Sequence, residues 1–374
     1  MRVLLLHNRY RAEGGEERAV ADTAELLRAR GHEVELLERT SSGLSRARAA
    51  YSLVHGGSDP TEVANVVRRF KAEVVHAHNV HPLFGWRALA AARSAGARTV
   101  LHLHNFRLFC AIYSGYRDGA VCFRCRGGNT LPGVRLRCRG STGEAISYGA
   151  GLHRQLPELL AHADSLVAVS AATQRRLESL GIPAGRTTVL PNFVPASGFA
   201  DRSRADAGRY AFASGRLVEE KGFDTAIDAA RIAGVPLLIA GDGPDRTRLE
   251  ALAAGADVTF AGQLDQAALA LARNGAAVTL APSRWEEPCP YSVLDSLAAG
   301  VPALVSNLGG LPELVEPGEA LEAGNADAWA RELHRLWSAP ALRRATGESA
   351  LSRARQGYGE DRYHDALLEI YRPR

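Results

Sequence analysis

The chain has 374 residues, about twice an ordinary domain, and its length predicts two cores of ordinary size. Apolar residues make up 46% and charged residues 23%, the composition of a globular protein rather than a disordered or membrane-embedded one. The formal net charge of +4 is too small to imply a nucleic-acid partner, and no apolar run approaches the roughly 20 residues of a membrane span. The first seven residues are too short and too soon polar for a signal peptide, so the expected location is the cytosol.

In chain order, residues 3–6 read as an apolar strand, and a loop over 8–15 ends in Gly14 and Gly15 before a helix over about 16–30. Gly31 and His32 stop that helix, and a second strand begins over 33–37. Further apolar runs at 74–75, 99–103 and 166–169, with amphipathic segments between them, predict a doubly wound parallel sheet. Ligands of such sheets bind outside the carboxyl ends of the strands, where Gly14 and Gly15 fall. A glycine pair lets backbone N–H groups approach a phosphate, and it serves equally as a tight turn.

Histidines crowd two strand ends: His76, His78 and His81, then His102 and His104. Residues two apart on a strand share a face, so each pair differs in depth. His76 and His102 read as covered and silent. A metal site from these histidines is not expected, because neither pair has a third ligand nearby in sequence.

Cys110, Cys122, Cys125 and Cys138 are separated by eleven, two and twelve residues. Four thiolates so spaced can close a tetrahedral zinc site within a loop that has little core of its own. A disulfide or redox pair and plain free thiols are the other readings; we set zinc ahead of them. The same stretch, residues 107–140, carries Arg107, Arg117, Arg124, Arg126, Arg135, Arg137 and Arg139 against Asp118 alone. Such a loop suits an anionic acceptor or an anionic membrane surface, and a solvated basic loop accounts for it equally.

Residues 190–209 are rich in Pro, Ser, Asp and Arg, lose apolar periodicity, and mark the junction. A second strand–helix series then begins, with strands over 210–213, 237–240, 258–261, 276–281 and 301–305. After the first comes Gly215-Arg216-Leu-Val-Glu-Glu-Lys221-Gly222, where two cations approach one strand end as a diphosphate requires. Lys221 is one of only two lysines in the chain, which draws further notice to it. The run at 276–281 leads to Pro288 and Pro290, which forbid further sheet pairing, and then to a helix from Tyr291 to Gly300. Glu287 stands just before this helix and Asp295 inside it. The first-turn amides of Tyr291, Ser292 and Val293 would suit an anion.

With these motifs the chain resembles the retaining nucleotide-sugar glycosyltransferases of family four, which have the GT-B fold. Its Glu287 and Asp295, with seven residues between them, stand at that family's E-x7-E signature. The resemblance implies two doubly wound Rossmann-like α/β domains facing a central cleft. They would be an acceptor-binding domain over 1–192, with the Cys- and Arg-rich loop at 107–140, and a nucleotide-sugar domain over 193–360. A last helix over 361–374 would cross back to the first domain, and its apolar period runs through Tyr363, Leu367, Leu368 and Tyr371.

The resemblance also implies roles. Glu287 would accept hydrogen bonds from donor-sugar hydroxyls, and Asp295 would hold the ribose diol. Asp is one methylene shorter than the family's Glu, so the backbone closes that gap, a water bridges it, or the nucleotide is held differently. His104 would contact the donor sugar, with His81 a second candidate. Gly14 and Gly15 would close over the diphosphate and acceptor. Gly215, Arg216 and Lys221 would clamp the phosphates, and Gly309, Gly310 and Glu313 match the family too. The donor would be a UDP- or GDP-sugar and the acceptor a sugar, glycolipid or small molecule, with peripheral membrane contact through the basic loop at the inner face of the membrane. No D-x-D pair occurs, so no catalytic metal is expected, and any zinc would be structural. An epimerase or phosphorylase on the same fold, and a nucleotide-sugar binder without catalysis, are the alternatives.

Overall fold

A computed structural model describes residues 1–9 and 14–372, and the chain divides into two compact units. The first comprises Met1–Gly115, Cys122–Pro191 and Tyr363–Arg374; the second comprises Tyr116–Val121 and Asn192–Arg362.

The first unit contains strands β1 (Arg2–Arg9), β2 (Glu33–Thr40), β3 (Val74–Ala77) and β4 (Arg98–Leu103). A two-stranded antiparallel hairpin, β5 (Tyr116–Arg117) and β6 (Ala120–Val121), precedes β7 (Ser165–Ala168) and β8 (Thr187–Val189). Among the described residues the first unit's sheet has the order β2-β1-β3-β4-β7-β8, every neighbouring pair parallel. Parallel neighbours need crossover connections, which lay helices on both faces and bury both. Val3, Leu4, Leu5 and Leu6 are accordingly all fully buried, and their sequence shows an unbroken apolar run rather than an alternation. The Glu360–Tyr371 helix supplies Tyr363, whose hydroxyl meets Thr23 Oγ1 at 3.0 Å, and Tyr371, whose hydroxyl meets His76 Nδ1 at 2.8 Å.

The second unit repeats the scheme with β9 (Tyr210–Ser214), β10 (Leu237–Ala240), β11 (Val258–Gly262), β12 (Ala276–Ala281), β13 (Ala303–Ser306) and β14 (Ala320–Leu321). Their order is β11-β10-β9-β12-β13-β14, again parallel. Ala211 and Ala213 pack into a large core with Phe223, Ile227 and Trp329, while the intervening Phe212 joins Ala276 and Val301 on the opposite face. The period of two along β9 therefore separates two buried layers.

In both sheets the strand order reverses at one place: between β1 and β3 in the first unit and between β9 and β12 in the second. Crossovers leave in opposite directions there, and a crevice opens outside the carboxyl ends of the two strands. The hairpin β5–β6 departs from the sequence expectation, which kept all of 107–140 with the first domain. Tyr116–Val121 belongs to the second unit, where Tyr116 Oη donates to Glu219 at 3.3 Å. The two-residue strands are too short to carry a readable period.

Candidate functional site

In the second unit the reversal point joins the two motif loops. β9 ends at Ser214, and Gly215, with φ +149°, turns the chain away. A Cβ at the neighbouring Gly241 would lie 1.9 Å from Gly215 O, so these two strand ends approach as only glycine allows. The chain then forms a 3-10 turn, Glu219–Lys221, and Gly222 at φ +67° starts the Phe223–Ala233 helix. A side chain at Gly222 would strike the carbonyl of Pro282, which lies just past β12. The two loops therefore pack backbone to backbone.

That packing brings Lys221 Nζ to 2.7 Å from Glu287 Oε1. The carboxylate is 6% exposed and the lysine 23%. Ser283 Oγ also donates to Glu287 Oε1, and the Glu287 carbonyl accepts from Gly310 N–H at 2.7 Å. Gly309, at φ +60°, has no room for a Cβ against the Glu286–Glu287 backbone, so the Gly-Gly pair after β13 braces the acidic loop. Arg216 is half-exposed at the same strand end, its Nη2 3.6 Å from Glu220 Oε1. Arg284 is committed elsewhere, donating to Asp224 at 2.9 Å.

The Tyr291–Ala298 helix begins after Pro290, whose carbonyl accepts from Val293 N and Leu294 N at 3.2 Å each. The Val293 amide therefore already has a partner within the turn, while Tyr291 and Ser292 hold the opening positions. Asp295 is buried in this helix, and Arg273 Nη1 lies 3.4 Å from its Oδ2. The sequence reading named no protein partner for Asp295. The cation comes from the Gln266–Asn274 helix, 22 residues away, and no local pattern announced it.

In the first unit, Gly15 opens the Gly15–Ala29 helix and Gly14 precedes it in extended conformation, φ −151°. Gly14 N–H donates to Glu17 Oε2 at 2.9 Å. The rest of the expected loop, residues 10–13, lies outside the described residues. Glu17 Oε1 stands 3.5 Å from Nε2 of buried His7 at the end of β1, and Asn105 Nδ2 donates to Glu16 Oε2 at 3.2 Å. His7, Glu16 and Glu17 were not singled out by sequence reasoning. Their proximity to a strand end carrying two glycines was the available signal.

His104, partly exposed, shares a 2.8 Å hydrogen bond with His78 Nδ1. Parallel pairing of β3 with β4 sets His76 against Val100, so the two histidine pairs interleave into one stacked column. His76 Nε2 and His102 Nδ1 lie 3.2 Å apart. Neither pair has a third ligand nearby in sequence, yet the fold brings ligand atoms of His76, His78 and His102 all within 4.8 Å of one another. Inter-strand register supplied what spacing along the chain could not. His81 is buried apart from this column, with its backbone N–H on Asn79 Oδ1 at 3.2 Å.

Burial pushes the imidazoles of His76, His81 and His104 down to about 3, and those of His78 and His102 well below their ordinary value of 6.5. Neighbouring histidines deepen the effect within the column, and Arg107 does so for His81. These groups stay neutral in the fold but take protons near pH 6.5 once unfolded. Their stabilising contribution is thus full above pH 6.5 and is lost as the pH falls from there toward 3. Each histidine adds a slope of about 1.4 kcal/mol per pH unit in that window, less where neighbours titrate together. Urea midpoints of the first unit should therefore drop steeply as the pH falls from about 6.5 toward 4, and His102→Gln should flatten the drop. Midpoints that stay level with pH would show these histidines to be solvated.

None of Cys110, Cys122, Cys125 and Cys138 is in a disulfide, and each is partly buried in the first unit. Among the described residues no three of their sulfurs lie within 4.8 Å of one another. Arg124, Arg126, Arg135, Arg137 and Arg139 of the same loop are exposed; Arg139 lies over the Tyr148 ring at 4.5 Å.

A cationic loop, an acidic loop and a helix start gathered at the reversal point of a parallel sheet stand where doubly wound α/β units bind their ligands. The model for Glycosyl transferases group 1 matches residues 199–353, and that for Glycosyltransferase Family 4 matches residues 13–197. The chain belongs to the family-four-like glycosyltransferases of GT-B fold. Among solved structures it is similar to the sucrose-phosphate synthase of Thermosynechococcus elongatus, with a TM-score of 0.73 at 19% identity over 99% of this chain and 98% of that one. Among curated proteins it is 35% identical over 170 residues to the GDP-mannose-dependent alpha-(1-6)-phosphatidylinositol dimannoside mannosyltransferase of Mycobacterium tuberculosis, covering 41% of this chain and 44% of that one. It is 27% identical over 320 residues to the phosphatidyl-myo-inositol mannosyltransferase of the same organism, covering 82% and 77%. The match spans 22% and 44% of the first two curated relatives' lengths.

Proposed function

We propose that this protein transfers a sugar from a nucleotide-diphosphate donor to an acceptor hydroxyl, with retention of anomeric configuration and without a catalytic metal. The observation that carries the reading is the 2.7 Å Lys221–Glu287 pair at the second sheet's reversal point, with Arg216 at the same strand end. A departing diphosphate gains negative charge, and cations set beside it lower that barrier most when water is excluded. Lys221, Arg216 and the helix start at Tyr291 and Ser292 supply that charge, and Gly215 permits the approach. Glu287, held by Lys221 and Ser283, is positioned to accept from sugar hydroxyls; Asp295 is assigned to the ribose. The acceptor hydroxyl attacks the face that the diphosphate leaves, and the leaving phosphate takes its proton.

On the first unit we assign His104, with Gly14 and Gly15, to contact with the donor. His104 is kept neutral by its surroundings, so it presents a hydrogen-bonding imidazole rather than a charge. His104→Ala should lower kcat by about tenfold to a hundredfold while leaving nucleotide affinity near the parent value. An unchanged kcat would remove His104 from the site.

A GDP-hexose is the first donor to try, because the relative that is 35% identical is named for GDP-mannose; a UDP-hexose is the second. An acceptor bearing phosphate or another anion is supported by Arg124, Arg126, Arg135 and Arg137, exposed and with no ion pair among the described residues. Such an acceptor would place the protein at the inner face of the membrane, and among the described residues no helix is long and apolar enough to cross one. The test is incubation with a library of nucleotide sugars and acceptors, read by mass spectrometry and by the anomeric coupling of the product. A product of retained configuration formed in the presence of a chelator is the expected result. Inversion, or metal dependence, would overturn the mechanism. Epimerisation of the donor alone, or tight binding with no turnover, would overturn the activity.

A further inference from the structure

We propose that Cys110, Cys122, Cys125 and Cys138 bind one zinc ion that staples the 107–140 loop. Leu108, Phe109 and Tyr116 anchor the start of the loop, but no residue from 117 to 140 is buried. Its Leu131–Arg135 helix buries no residue, and its two-residue strands form only a small hairpin. Segments this poor in apolar burial are held by cross-links or metals where they are ordered at all.

The four thiols nonetheless lie within electrostatic reach of one another. Cys110 interacts with both Cys125 and Cys138, and Cys125 with both Cys122 and Cys138. Gly133 is fitted to them: a Cβ there would come 3.2 Å from Cys125 Sγ and 3.9 Å from Cys138 Sγ. The backbone amides of Ile112 and Gly115 lie near the Cys110 sulfur and that of Gly133 near the Cys125 sulfur, which also faces the Thr130 carbonyl at 3.9 Å. A neutral thiol gains little from such donors, whereas a thiolate on a metal gains a charge-assisted hydrogen bond.

Charge supports the same reading. A zinc ion with four thiolates carries a net charge of −2, and each thiol gives up its proton to solvent on binding. Arg124 and Arg126 bracket Cys125, and Arg137 and Arg139 bracket Cys138. Cations therefore stand beside the complex that needs them. The His76, His78 and His102 cluster is the rival site and offers the opposite balance. Its three rings are buried and neutral, and a dication among them would have no compensating charge in a low-dielectric core. His76 also has both nitrogens engaged, with Tyr371 and His102. With no three sulfurs yet within 4.8 Å, binding would draw the loop inward, which couples its order to metal.

The test uses the full chain, dialysed free of loosely held metal. Elemental analysis should find about one zinc per chain. Cys122→Ser and Cys138→Ser should bring the content close to zero and lower Tm by more than about 4 °C, while His78→Gln should keep the metal. Should the cysteine variants aggregate, cobalt substitution of the parent protein decides the matter. Four thiolates give intense thiolate-to-metal charge transfer, and three imidazoles give none. Metal-free protein with four reactive thiols, a Cys122–Cys125 disulfide, or zinc that follows His78 rather than Cys122 would each overturn the proposal.

Discussion

Lys221→Ala is expected to lose about 100- to 1,000-fold in kcat, the usual cost of removing one preorganised charge from a developing anion. The structure adds a second consequence that a solvated phosphate-binding lysine would not have. Glu287 is 6% exposed and lies 2.7 Å from Lys221 Nζ, so deleting the lysine strands a buried carboxylate. A fully buried pair broken in this way costs about 3–5 kcal/mol; Lys221 is partly exposed, and about 1.5–3 kcal/mol is the expected loss. The double variant Lys221→Ala/Glu287→Ala should regain most of that stability and none of the activity, a coupling read directly from denaturant melts. Glu287→Gln keeps the shape and removes the charge, and should lower kcat through poorer orientation of the sugar. Near-parental turnover in Lys221→Ala would dismiss the clamp. Additive stabilities would dismiss the pairing.

Asp295→Ala is expected to raise the donor KM roughly ten- to a hundredfold with kcat little changed, because a ribose contact is made equally in ground and transition states. The variant should also discriminate poorly between ribose and 2′-deoxyribose nucleotides. Arg273, 3.4 Å from Asp295 Oδ2, makes a companion variant informative. If the carboxylate serves the nucleotide and Arg273 only aims it, Arg273→Leu should give a smaller rise in KM and a partial loss of ribose discrimination. Asp295→Glu then reports the depth of the pocket. A longer arm is tolerated where space remains beyond the Asp, and it is harmful where Arg273 and the helix backbone have closed in. Donor binding that Asp295→Ala leaves intact, with stability lost equally in Asp295→Ala and Arg273→Leu, would make this a structural ion pair.

Much of this chain was legible because its signals are local. The runs at 237–240 and 276–281 match β10 and β12 residue for residue, since a strand buried on both faces must be continuously apolar. Gly215, Gly222 and the prolines before Tyr291 marked the loops because φ and the missing N–H are properties of single residues. β8 and β14 went unread, being two or three residues long with no period to display.

What tertiary structure alone decided was which loops meet. The sequence places 65 residues between Lys221 and Glu287, and nothing in either segment says that β9 and β12 are neighbours. Parallel strands pair through crossovers of a dozen or more residues, so their order is set by how whole helices pack, not by adjacent side chains. The same holds for the histidine column, assembled by the register of β3 on β4, and for Arg273, delivered to Asp295 by a separate helix. Residue type and spacing determined which groups could do chemistry. The strand order determined which of them stand 3 Å apart, because that distance is set by packing between elements remote in the chain.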